Sequence, residues 1–120
     1  MIGAGMVDRN SVYLALEEMV KYGSDLTQMH TLVAYFAFPS EAAARQAAAE
    51  LKRREGVESE LFTLPPPWWQ ALFVKPRYAV HGTRLLIPTS DEIIRLTDVF
   101  NAVAKQCGGV YARWEAKLVR

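Results

Sequence analysis

At 120 residues, with 51% hydrophobic and 22% charged side chains, the chain has the size and make-up of a soluble globular protein whose core needs no staple, not of a disordered or fibrous one. Its 14 Lys and Arg against 13 Asp and Glu leave a net charge of +1, which excludes the whole-surface basic footprint that nucleic-acid binding usually leaves. The single Cys107 excludes an intrachain disulfide and any CxxC metal or redox motif, and fits a reducing compartment.

Met1 to Val7 is mildly apolar but lacks the charged region and long apolar core of a signal peptide, and Asp8-Arg9-Asn10 cuts it short. No apolar run approaches the length of a membrane span, so a cytoplasmic protein with no membrane partner is expected. Asn10 or Ser11 can cap a first helix over about 10–22, in which Val12, Leu16, Met19 and Val20 recur at helical spacing and Gly23 is a natural stop.

His30 to Phe38 is β-branched and aromatic, and apolar on both faces. That pattern predicts a central strand covered on each side. Pro39 ends it, Ser40 caps a helix running to Glu55, and Ala44, Ala47, Ala48 and Leu51 give that helix a small face able to sit close on a sheet. Lys52, Arg53 and Arg54 complement the negative end of its dipole before Gly56 terminates it. Val57 to Leu64, carrying Glu58 and Glu60, reads as an edge strand.

Pro65-Pro66-Pro67 then breaks regular structure ahead of Trp68-Trp69-Gln70-Ala71-Leu72-Phe73, where a short helix from Pro67 and a wide hairpin connection both fit. Strand character resumes from Tyr78 to Ile87, with Gly82 suggesting a bulge. Thr89 to Glu92 is a capping-box pattern, opening a helix in which Ile93, Leu96, Phe100, Val103, Ala104 and Cys107 share one face. Gly108-Gly109 ends that helix, and Val110 to Trp114 is the final short strand.

The strand, cap, helix and glycine succession thus occurs twice, after one extra helix. It predicts a single α+β domain over 1–120: a ferredoxin-like split βαβ sandwich with a four-stranded antiparallel sheet, right-handed crossovers and an additional N-terminal helix. The two βαβ units lie at about 30–64 and 77–115.

No set of residues spells out catalysis. His30 and His81 sit in or beside strands without acidic residues at metal-ligand spacing, and Cys107 falls on the buried face of a helix. Asp91 and Glu92 are explained by the helix dipole, and no GxGxxG or GxxxxGK[ST] string occurs. No catalytic residue, metal or cofactor is therefore predicted. The most suggestive cluster is Trp68, Trp69 and Phe73, which could anchor a partner, join two copies in a homodimer, or simply cover an open sheet face. RNA-recognition motifs share the βαββαβ plan, but Lys75-Pro76-Arg77-Tyr78-Ala79-Val80-His81-Gly82 does not match their octapeptide. Arg77, Tyr78 and Tyr35 are at most a weak substitute, so direct nucleic-acid binding is not expected.

Several pieces, taken in order, carry a resemblance to a known family: Tyr22-Gly23-Ser24-Asp25, Met29-His30-Thr31-Leu32, Phe38-Pro39-Ser40-Glu41, Ile87-Pro88-Thr89-Ser90-Asp91-Glu92-Ile93 and Gly108-Gly109-Val110-Tyr111-Ala112-Arg113-Trp114. The chain resembles the family of the regulator of ribonuclease E activity B, small bacterial α+β proteins that modulate that endoribonuclease. The resemblance implies a ferredoxin-like fold, no catalysis, and action by binding ribonuclease E outside its catalytic core. Three departures stand out. The well-studied type is strongly acidic with an acidic tail, whereas this chain is near neutral; Ala112-Arg113 replaces the usual Asp-Gly; and Pro65 to Lys75 looks like an insertion. The candidate partner-binding residues are Trp68, Trp69, Phe73, Tyr78, Arg113 and Trp114. The alternatives are a dimeric ferredoxin-like ligand-binding or enzymatic domain with His30 or His81 in a pocket and, second, direct RNA binding.

Overall fold

The structure is a computed structural model and describes residues 2–4, 9–64 and 77–119. In chain order the elements are β1 (Ile2–Ala4), α1 (Arg9–Lys21), β2 (His30–Phe38), α2 (Glu41–Glu55), β3 (Glu58–Leu64), β4 (Arg77–Leu86), α3 (Ser90–Gln106) and β5 (Val110–Ala116). The strands form one antiparallel sheet in the order β1-β5-β2-β4-β3. Four of them, with α2 and α3 packed on them and α1 added ahead, are the α+β sandwich that the duplicated pattern predicts. The fifth, β1, was not foreseen: Ile2 pairs with Ala116 and Ala4 with Trp114. A three-residue strand is too short to leave a periodic signal.

Local chemistry sets the helix ends. Ser40 is extended, and its Oγ accepts from the Ala43 amide at 3.1 Å. At the other end Gly56 adopts φ 66°, its amide donates to the Lys52 carbonyl at 3.0 Å, and Val57 donates to the Leu51 carbonyl at 3.3 Å. This is an αL closure, and the Val57 that follows it is buried in the core. Thr89 caps α3 by accepting from the Glu92 amide at 3.2 Å. The Glu92 carboxylate bonds instead to Arg95 and Arg84, so the capping box is half formed.

The core lies on one side of the sheet. Along β2 burial alternates strictly: His30, Leu32, Ala34, Phe36 and Phe38 are buried, and the residues between them are half-buried. All three helices contribute to the same apolar cluster, through Val12 and Met19, Ala47 and Leu51, and Ile93 and Phe100 among others. The other face of β2 was expected to be covered as well. Among the described residues no helix adds to that cover; Tyr35 there is met by His81, Arg113 and Glu115 from neighbouring strands.

Two further expectations change. Val20 is 56% exposed and Ala15 takes its place, since Val12, Ala15, Leu16 and Met19 already complete one stripe. Gly82 marks no bulge, for the pairings on both sides of β4 run through it without a break. Its lack of a side chain has another reason: a Cβ there would lie 2.7 Å from Cγ1 of Val57. The bulge is on β5. Tyr35 pairs with Arg113 but Phe36 pairs with Tyr111, leaving Ala112 as the extra residue. Without it Tyr111 and Arg113, two positions apart, would point the same way.

Candidate functional site

That bulge builds the site. It lets Tyr111 stack on Phe36 on the helix side, with ring centroids 5.0 Å apart, while Arg113 stands opposite Tyr35 on the open face. The Arg113 guanidinium lies 4.0 Å from the centre of the Tyr35 ring, a cation–π contact, and forms an ion pair with Glu115. The Tyr35 hydroxyl donates to Oε2 of the same Glu115 at 2.9 Å. On β4, His81 is directly opposite Tyr35, and the two rings meet edge-on with centroids 4.6 Å apart. On β3, Phe62 follows, its ring 4.5 Å from that of His81. A stripe of Arg113, Tyr35, His81 and Phe62 therefore crosses four adjacent strands.

The charges on this stripe are internally matched. Arg113 first, and the Tyr35 hydroxyl after it, hold the Glu115 carboxyl below its ordinary range. Burial, helped by Glu115, raises the Tyr35 phenol. Burial and then Arg113 lower the pKa of His81, outweighing Glu60 and Glu115, so its ring is neutral near pH 7. The stripe is a platform of planar groups and not a pocket. Among the described residues no cluster of His, Cys, Asp and Glu could hold a metal ion.

His30, the other candidate acid or base, has a structural task. It is 1% exposed; its Nδ1 lies 2.8 Å from the Gln28 carbonyl and its Nε2 lies 2.6 Å from Ser24 Oγ. A carbonyl can only accept, so Nδ1 carries a hydrogen, while Nε2 is hydrogen-bonded with the Ser24 hydroxyl. The same Oγ accepts from the Val119 amide at 2.9 Å, which clamps the segment after β5 to the loop before β2. An apolar groove of about 530 Å³ lies between α1 and the start of α3 and is lined by Tyr13, Leu16, Val20, Leu26 and Pro88 among others.

The sequence-derived candidates distribute unevenly. Of the two candidates on the last strand, only Arg113 reaches the open face. Trp114 is 0% exposed, opposite Ala34 on the helix side, so its place among partner-binding residues is corrected to the core. Tyr78 pairs with Phe38 and packs half-buried against that core, which removes it from the open face too. Trp68, Trp69 and Phe73 lie outside the described residues. Phe62, His81 and Glu115 were missed as a group, because strand alternation shows which residues share a face but not which stand opposite one another.

The chain matches the family described as regulator of ribonuclease activity B over residues 14–116. No curated protein matches it.

Proposed function

We propose that this chain, which belongs to the regulator of ribonuclease activity B family, controls RNA turnover in the cytoplasm by binding ribonuclease E and lowering its activity, without chemistry of its own. The observation that carries this reading is the extent of the match, which runs from within α1 to the last residue of β5 and so takes in the whole sandwich. The platform of Arg113, Tyr35, His81 and Phe62 supports it: arginine and aromatic side chains are the types that anchor macromolecular contacts. Near neutrality, with a net charge of +1, argues for recognition through such local contacts over bulk attraction between charges.

The test is a cleavage assay with purified ribonuclease E and a defined RNA, titrated with the chain, alongside calorimetry of the two proteins. A saturable fall in cleavage rate and a matching binding isotherm are expected. An unchanged rate together with no heat of binding would overturn the reading.

A further inference from the structure

Among the described residues no helix packs on one face of the four long strands, β5-β2-β4-β3, and that face presents its rings in the middle. We propose that the open face of the sheet binds single-stranded RNA directly, with bases stacked on His81 and Phe62 and the sugar-phosphate chain held by Arg77 and Lys117. This goes beyond regulation through a protein partner and does not depend on it.

Three observations favour RNA over a protein as occupant. First, the layout of apolar groups is the reverse of a protein interface, which has an aliphatic and aromatic centre and a polar rim. Here planar and charged groups hold the centre and the exposed aliphatic side chains, Leu64, Leu85 and Val110, sit at the corners. Second, on one side of the rings the positions on this face are small, with Ala37 and Ala79 in register beside Tyr35 and His81. A flat base can settle against them without displacing a bulky neighbour. Third, the charges complement a nucleic acid once internal pairing is considered. Glu58 is engaged by Lys52 and Glu115 by Arg113. That leaves Glu60, across from His81, as the unneutralised carboxylate among the described residues of the platform, with exposed Arg77 at one end of the face and exposed Lys117 just past β5 at the other. A lone carboxylate beside a stacked base can accept from its amino group, while the cations follow the backbone.

The neutral state of the His81 imidazole near pH 7 suits this role, since an uncharged ring is cheaper to cover with a base than a hydrated cation. Phe62 is 40% exposed on the outermost long strand. Stacking platforms of this kind tolerate most sequences but require unpaired bases.

Fluorescence anisotropy of the full chain with a labelled single-stranded RNA of ~12 nucleotides at ~50 mM salt tests the proposal, with a duplex of the same length as control. Saturable binding to the single strand, weak binding to the duplex, and a loss of roughly tenfold or more in Phe62→Ala/His81→Ala are expected. Phe62→Leu, which keeps bulk on the strand and removes the aromatic plane, should lose affinity with an unchanged thermal midpoint, separating loss of stacking from loss of fold. No saturable binding at low salt, equal binding of the duplex, or unchanged affinity in a folded ring variant would each overturn the proposal. So would ring variants that lose ribonuclease E but keep RNA, since that result assigns the face to the protein partner.

Discussion

Strand β2 has two faces that ask different things of a side chain. Toward the helices, Phe36 is 2% exposed, stacked on Tyr111 and met edge-on by Phe100; its contacts come from three elements and exclude water. Toward the open side, the adjacent Tyr35 is touched by Arg113, His81 and Glu115, all from neighbouring strands and all polar or charged at some atom. One residue step separates a position whose worth is burial from one whose worth is arrangement. On the proposed reading, stability and recognition occupy opposite sides of the same peptide planes.

The sharpest way to break this comparison is to truncate one aromatic ring on each side. Phe36→Ala is expected to destabilise the protein by about 3–5 kcal/mol, and Phe62→Ala by less than about 1 kcal/mol, read from denaturant midpoints. Similar losses for the two would mean that the open face is as much core as the closed one. A smaller effect is expected of Gly82→Ala, whose new Cβ must push against Val57 on the helix side: about 1–3 kcal/mol, with Val57→Ala in the same chain restoring part of it. Ser40→Ala, which removes a cap bond at the rim of the sandwich, should cost about 1 kcal/mol in the same measurement.

The smallest effect concerns the ion cluster that ties α2 to α3. Arg95 reaches Glu55 at 2.8 Å and Glu92 at 2.7 Å, and Arg84 lies within 3.2 Å of Glu55. Arg95, ahead of the other partners, holds both carboxyls below their ordinary pKa. A carboxyl depressed in the folded state contributes stability that is fully present above its unfolded pKa and is lost as pH falls through the folded one. Thermal midpoints followed downward from neutral pH should therefore drop in the acid range, and Arg95→Met should flatten that drop without changing the open face. An equal drop in the variant would show that the acid sensitivity arises elsewhere.

Much of the fold was legible because local signals agreed with one another. His30–Phe38 was read to the residue, since a β-branched and aromatic run met Pro39 and then a serine cap. The six apolar positions chosen for the last helix are all buried. What escaped depended on pairing across the sheet. A glycine in a strand commonly signals a bulge, but Gly82 is there to admit Val57, and the bulge fell at Ala112, which carries no such signal. Trp114 looked like a terminal aromatic on offer to a partner; the strand runs on to Ala116 and the register turns its ring inward. The candidate site was accordingly visible in Arg113, in His81 as a candidate acid or base and, faintly, in Tyr35. Phe62, and the way these residues meet, depend on antiparallel partners that no short-range pattern encodes.

The position of β5 bears on how the molecule is made. The last strand of the sheet in sequence lies between β1 and β2, two strands that leave the ribosome long before it. During synthesis β2, β3 and β4 can pair among themselves, while β1 must wait with no neighbour and the flank of β2 stays uncovered. Only the arrival of β5 fills the slot, brings Trp114 under the sheet and allows the Ser24–Val119 bond to form. The growing polypeptide therefore carries an open β2 edge that a chaperone or a second nascent copy can reach until β5 emerges.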